Sequence, residues 1–564
     1  MRSLLQRTSL TITAVLAVAV ESPTTYFEDV CPEIFFGKEI LPDKWLCFFY
    51  IPLPNIFNIP ASWSISVHPS HTRDLGERTM TKVTMKVLSR DQIELIHVNS
   101  LNILSDVGIK IESPSVLGLL QEAGAKIDRR ENRVFLHEEL ISQSLRSAPK
   151  EVKICSRRGV DYTVPHEEFQ LVSPDGQPPA VFEVSTGKKR PSTLRDAIEF
   201  AILSDAMDEV NFIWPSVVAT DVPTEKSSFY EFLANLAYSS KHVQHGARST
   251  EEANFQVEVA AAIEGSREEL RKRPIFSDVC TPISPLRYDR GEAEALVALS
   301  RAGVPMVHLS MGIAGSATPI TLAGTLAVIN AENLCGLTIS QVASPGAPSI
   351  YSSFSGISDL KSGIFLCGTS EGVLLDAAAV EMAKHYGLPS CAGGPSNAAR
   401  SLSAEAGYQT AMSAMAAMLT GSDLMVGLGG LDRAGMMSLE KLVMDCEIWR
   451  WLKRVRAGIN VNESTLGFDA IKRAGPGGIF LSDPHTLKFM RNELLIPQAT
   501  SYHVSGEPTY SVDELIEYSK RKTKDILSTY KPPLLSREVT EKICRVSERY
   551  GISLKSEDPI FGQP

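Results

Sequence analysis

The chain has no pair of cysteines at the spacing of a zinc knuckle or a redox motif. Its nine cysteines, Cys31, Cys47, Cys155, Cys280, Cys335, Cys367, Cys391, Cys446 and Cys544, stand singly. Neither a structural zinc site nor a disulfide framework is indicated, and reduced thiols in a cytoplasmic protein fit the pattern. His-Glu-x-x-His and carboxylate clusters are missing too, so no metal site is expected. No Gly-x-Gly-x-x-Gly follows the first strand, which argues against dinucleotide binding. Basic clusters are few. Net charge is −10, and the stretches 271–273 and 520–524 are short with acids close by. That excludes the electrostatic footprint of a nucleic-acid binder. Beyond residue 20 no run reads as long and apolar enough to span a bilayer, so no membrane partner is expected.

What is there is ordinary globular material: 564 residues, 43% hydrophobic and 22% charged, enough for one large core. Residues 1–84 differ from the rest. Arg2 and Arg7 precede an apolar run over 10–20 that is similar to a secretory signal. The following residues, rich in Pro, Phe and Trp, show no sustained period, and regular pattern starts near Met85. A disordered extension or an over-long start is the favoured reading, with Met80 or Met85 as an alternative start.

Residues 85–190 read as a helical cap with a small β segment. Ser89 and Gln92 form a capping box before a helix over 93–107, and Ser113-Pro114 opens a second one closed by Gly124. From 191 to 435 strands and helices alternate. Strands are expected at 210–219, 242–247, 274–281, 305–311, 349–354, 389–392 and 423–428, with helices between them. An eighth strand is sought at 478–481. This alternation implies parallel strands with crossover helices, and seven or eight units favour a TIM-like (β/α)8 barrel of the α/β class. Residues 436–564 are a helical extension completing it. Its Trp449 and Trp451 suggest a homo-oligomer.

Barrel chemistry sits at the C-terminal strand ends. That rule selects Trp214, His245, Arg248, Cys280, His308, Ser310, Tyr351, Phe354, Ser355, Cys391, the run 393–397 and the run 429–432. His245, His308 and Asn397 are the candidate catalysts, although a strand-end histidine is more often structural. Trp214, Tyr351, Phe354, Gly393, Gly394, Ser396, Arg400, Gly429 and Gly430 are the candidate substrate contacts. The paired glycines are expected to leave open space in a mouth between the two loops, so that a bulky residue at Gly394 should block activity without harming the fold.

Three stretches carry a family resemblance: LSRDQIELIHVNSLNILSDVG at 88–108, YGLPSCAGGPSNAARSLSAEAGYQTAMSAMAAMLTGSDLMVGLGGLD at 386–432, and GGIFLSDPHTLKFMRNELLIP at 477–497. The chain resembles the trimethylamine methyltransferase (MttB-type) family over roughly 88–550. The resemblance implies a TIM barrel that passes a methyl group from a methylated amine to the corrinoid (cobalamin) of a separate, cognate corrinoid protein, with no cofactor held tightly by this chain. Founding members carry pyrrolysine, at a position that falls here within 396–403, and this sequence has none. That points to a quaternary amine such as glycine betaine. A quaternary nitrogen leaves as a neutral amine and favours aromatic faces, whereas Arg400 would pair with a betaine carboxylate. Asp483-x-His485 is similar to a corrinoid-binding pattern, but Lys488 replaces its glycine, so cobalt ligation by His485 is rejected. A lyase or aldolase barrel and a methylated-amine binding protein remain as alternatives.

Overall fold

The computed structural model describes residues 82–166, 169–499 and 514–562, together with the backbone of three strands nearer the N-terminus. Those strands, Thr13–Val20, Phe35–Leu41 and Lys44–Pro52, form an antiparallel sheet with the third in the middle. They belong to a separate unit, residues 1–77, whereas 78–564 form one compact unit. The apolar run expected as signal-like is thus mostly strand. Apart from these strands and residues 82–84, the reading of 1–84 falls outside the described residues.

Eight strands make the barrel: β1 Leu171–Pro174, β2 Phe212–Ile213, β3 His242–His245, β4 Phe276–Cys280, β5 Met306–Ser310, β6 Ser349–Ser353, β7 Ser390–Gly393 and β8 Leu424–Leu428. They pair in parallel in the order β2 to β8 and then β1. Asn211 bridges the seam between β1 and β2. Asn211 N–H donates to Val172 O (2.9 Å) and its Oδ1 accepts from Val172 N–H (3.0 Å). Each strand is followed by a helix: α1 Leu194–Ala206, α2 Ser227–Tyr238, α3 Thr250–Glu264, α4 Arg290–Ala302, α5 Leu322–Ala343, α6 Ser370–His385, α7 Ala404–Thr420 and α8 Leu439–Arg456.

The expected (β/α)8 barrel is therefore present, with two corrections. Its remaining strand is β1, inside the region read as cap, and 478–481 is not a strand. β1 is four buried residues ending in proline, too short to announce itself by period. The apolar Ile479, Phe480 and Leu481 instead lie exposed. The barrel also runs past residue 435, because α8 is its eighth helix. The bilayer reading needs correction as well. α5 is 22 residues long and apolar enough to cross a membrane by length and composition, but 83% of that window is buried inside the protein.

Barrel strands are apolar on both faces because helices cover the outside while side chains fill the lumen. Leu171, Phe212, Val279, Val307, Leu309, Ile350, Cys391 and Val426 form the lumen cluster. The hairpin Val152–Ile154 with Tyr162–Val164 joins it. The helices of the N-terminal cap, Arg90–Asn102, Pro114–Glu122 and Glu138–Ser147, lie against α5. Both expected caps are made, at Ser89 and Ser113. Of the C-terminal helices, Glu514–Thr529 packs on α8 and α1, and Arg537–Arg549 on α3. Trp449 is buried in the core of its own chain, which removes half the motive for expecting an oligomer.

Candidate active site

Side chains alternate across a strand, so the lumen residues define which of their neighbours point outward. Val243, beside His245's intervening Gln244, belongs to the outer core, as do Met306 and Tyr351. His245 shares the outward face. Its ring meets Phe232 of α2 edge-on at 5.4 Å, and its Nδ1 lies 3.2 Å from Gln256 Nε2 of α3. His308 lies against α5, where a Cβ on Gly336 would approach its Nδ1 to 2.8 Å. Burial lowers His245 to about 4 and His308 to about 3. Both rings lie on the outer side of the barrel wall and not in the lumen, where burial favours the neutral form. Tyr351 is also outside the lumen, donating its hydroxyl to Asn330 Oδ1 (3.0 Å). Phe354 does face inward, in the lumen cluster with Trp214, Met311, Phe365 and Ala434.

A cleft of about 330 Å³ opens at the C-terminal ends of β1 to β4, lined by Gln177, Trp214, Glu231, Arg248, Thr281 and Glu292 among others. Small-molecule sites have this size and shape. The ring of Trp214 packs directly over Gly176, where a Cβ would lie 2.5 Å from Cε2. Only glycine admits the ring there. Trp214 Nε1 is buried without a hydrogen-bond partner among the described residues. Two carboxylates face the same cleft from helices. Glu231 of α2 accepts from Gln177 Nε2 (3.1 Å) and Ala219 N–H (3.0 Å). Glu292, in the first turn of α4, accepts from Thr281 N–H (3.1 Å). Burial raises both, Glu292 to about 7 with Asp289 adding to the effect. A desolvated carboxyl near neutrality is a functional-site signature. The Arg248 guanidinium stands at the rim, 3.3 Å from Glu252. The strand-end rule found Trp214 and Arg248. It passed over Glu231 and Glu292 because both sit on helices. The available signal was Glu231 alone in the apolar run SSFYEFLANLAY.

The loops after β7 and β8 meet beside this cleft. Asn397, fully buried, donates from Nδ2 to Gly430 O (2.8 Å), and its O accepts from Arg433 N–H (3.3 Å). Asp432 N–H donates to Ala399 O (2.7 Å). Held this way, Asp432, Arg433 and Ala434 all adopt left-handed backbone (φ 50°, 61° and 59°). Such strain persists only where surroundings enforce it. Ser396 is buried, its N–H donating to Ser413 Oγ (3.0 Å). Below the loops, Lys441 and Asp445 of α8 form a fully buried ion pair. Lys441 Nζ also donates to Thr410 Oγ1 (3.0 Å), and Asp445 Oδ2 accepts from Gly429 N–H (2.8 Å).

The four glycines are filled rather than open. A Cβ on Gly393 would lie 2.5 Å from Phe354, one on Gly394 2.9 Å from Met425, and one on Gly429 3.1 Å from Leu442. A Cβ on Gly430 would collide with the Asp175 carboxylate. A bulky residue at Gly394 therefore disturbs packing, contrary to the expectation of an intact fold. Arg400 is 76% exposed and lies 3.7 Å from Asp432, which also pairs with Lys189 at 3.2 Å. Its observed place is that of a surface ion pair. At the other end of the chain, Asp483 caps a helix, Pro484–Glu493, through His485 N–H (2.8 Å).

A (β/α)8 barrel with a small polar and aromatic cleft at its mouth is the architecture of an enzyme acting on a small molecule. Comparison with known proteins gives that class its chemistry. The model of the family described as trimethylamine methyltransferase (MTTB) matches residues 67–549, and the chain belongs to that family. It is a methyltransferase. A glycine betaine methyltransferase of Desulfitobacterium hafniense is 32% identical over 462 residues, covering 81% of this chain and 95% of the relative. A trimethylamine methyltransferase from another strain of that organism is 30% identical, covering 72% and 82%. The solved monomethylamine methyltransferase of Methanosarcina barkeri aligns with a TM-score of 0.46 and 12% identity, over 79% of this chain and 88% of that one.

Proposed function

We propose that this methyltransferase moves a methyl group from a quaternary ammonium substrate, a betaine in the first instance, to a reduced corrinoid carried by a separate protein. The observation that carries the proposal is the mouth cleft, where the Trp214 ring and the carboxyls of Glu231 and Glu292 share one lining. A quaternary cation is drawn to an aromatic face and to carboxylates, and has no N–H to satisfy. The Arg248 guanidinium at the rim suits the carboxylate at a betaine's other end. The similarity to a glycine betaine methyltransferase supports the same substrate class.

The residues of this chain bind, orient and desolvate the substrate. Glu292 gains its charge as the cation arrives, since a neighbouring positive charge favours the carboxylate. A reduced corrinoid supplies the electron pair that takes the methyl group. The C–N bond breaks with its pair staying on nitrogen, leaving a neutral amine, so no proton has to move. This fits the burial of His245 and His308 behind the barrel wall. Residues 396–403, where the founding enzymes carry pyrrolysine, hold only ordinary residues, and trimethylamine is not the favoured substrate.

Binding calorimetry with glycine betaine and tetramethylammonium tests this cleft. Trp214→Ala should weaken both ligands, by roughly ten-fold on cation–π magnitudes. Arg248→Ala should weaken only the betaine, and Arg400→Ala neither. Failure of the wild-type protein to bind any quaternary amine would overturn the proposal.

A further inference from the structure

Few residues other than glycine hold left-handed backbone, and glutamine is not one that favours it. Gln177 does so, with φ 59°, and it lines the mouth cleft. The other described non-glycine residues with this backbone, Asn132, Leu286 and the run 432–434, do not line it. The strain is enforced by the neighbouring loops. Asp175 N–H donates to Leu428 O (2.9 Å) at the end of β8, and Gln177 N–H to Pro215 O (2.9 Å) after β2. Between them Gly176 N–H donates to Asp175 Oδ1 (2.9 Å), and the Trp214 ring covers Gly176. One residue further on, Val218 N–H donates to Pro178 O (3.1 Å). A glycine at 177 would take this conformation without steric cost. A side chain kept in a strained position beside a ligand cleft points to a use for that side chain.

The Gln177 amide has two unlike ends. Its Nε2 donates to Glu231 Oε2 (3.1 Å), and the other oxygen of Glu231 accepts from Ala219 N–H (3.0 Å). A cation arriving in the cleft favours the ionised form of Glu231. An ionised carboxylate only accepts, so the amide must face it with its nitrogen. The carbonyl end, Oε1, is then turned to the other side. It stands 4.0 Å from where a Cβ on Gly246 would be, and Gly246 itself lines the cleft. Among the described residues no hydrogen bond is made to this oxygen. The negative end of an amide dipole, beside Trp214, Glu231 and Glu292, suits a positive charge that carries no N–H. A quaternary ammonium group fits that description. A neutral tert-butyl group of the same shape does not.

We propose that Gln177 contacts the ammonium group of the substrate through its side-chain oxygen, and so sets the preference of the cleft for a cationic head over a neutral one of equal size. This rests on the quaternary-amine reading above. The left-handed backbone fixes the direction in which the amide leaves its loop, and Glu231 fixes its rotation.

Binding calorimetry of the full chain tests this by comparing glycine betaine with 3,3-dimethylbutanoate, which has carbon in place of the nitrogen. The wild type should bind the betaine more tightly. Gln177→Met keeps the length and the strain of the side chain and removes its amide. It should weaken glycine betaine roughly ten-fold, the order of one hydrogen bond to a charged group, and leave 3,3-dimethylbutanoate nearly unchanged. Gln177→Gly guards against an effect of bulk. It should lose the same discrimination while its urea midpoint stays at or above that of the wild type, because glycine relieves the backbone. A purely structural role would lower that midpoint and weaken both ligands alike, and this result would overturn the inference. A wild type that binds both ligands equally would overturn it too. If the wild type binds no quaternary amine, the reading it rests on fails with it. If the wild type binds glycine betaine and both variants bind it equally well, this inference alone fails.

Discussion

Glu292 shows how one buried side chain ties the cleft to a measurable pH dependence. Its carboxyl is raised to about 7 by burial, with Asp289 as a further cause. Below that pH the free enzyme holds it neutral, and above it the group is a carboxylate that attracts a cation. kcat/KM for a quaternary amine should therefore rise as pH climbs through about 7 and then level. Glu292→Gln should remove that limb and lower the plateau several-fold; a limb unchanged by the substitution would take Glu292 out of the site. The sign for stability is opposite. A raised carboxyl stabilises the unliganded fold at low pH, and that contribution is lost as pH rises through about 7. At this scale the sequence was partly legible. Trp214 could be read because it follows a strand and is large and aromatic. His245, His308 and Tyr351 could not be placed, because strands apolar on both faces give no parity signal to separate lumen from outer wall. Paired glycines signal close packing as readily as open space, and here Phe354, Met425, Leu442 and Asp175 fill the space.

Among the elements, the loops after β7 and β8 carry the most constraint. Gly368 lies under the first of them with φ +67°, and a Cβ there would meet Ser396 O at 2.6 Å and Asn397 Cα at 2.7 Å. Gly346 has a similar φ of +84° and nothing nearby. Gly346→Ala should cost about 1 kcal/mol from backbone strain alone, and Gly368→Ala about 2 kcal/mol more, because backbone cannot yield as a side chain does. Urea denaturation of the two variants measures the difference. Equal losses would mean that the loop accommodates the methyl group freely. Six of the seven strands found in the sequence are shortened in the structure and not moved, and β7 is shifted by one residue to Ser390–Gly393. β2 shrinks most, to Phe212–Ile213, since Pro215 cannot continue a central ladder. β1 was missed for want of length. α1 was missed although Thr193 and Asp196 form its capping box, because its two faces are both largely buried and blur the period.

At the scale of the whole barrel, the mouth offers a small cleft and two tied loops. Nearly all of the architecture followed from alternation in the sequence, because parallel strands joined by crossover helices have few closed solutions. The site followed less well, since it depends on helical carboxylates and on which way each strand faces. The account's central claim is methyl transfer from a quaternary amine to a reduced corrinoid. It is tested most directly by supplying the full chain with reduced cobalamin and following the visible spectrum with glycine betaine, tetramethylammonium or trimethylamine in turn. The account predicts substrate-dependent methylation of the cobalamin with at least one quaternary amine and none above background with trimethylamine. Methylation from trimethylamine alone, or from none of the three, would contradict it.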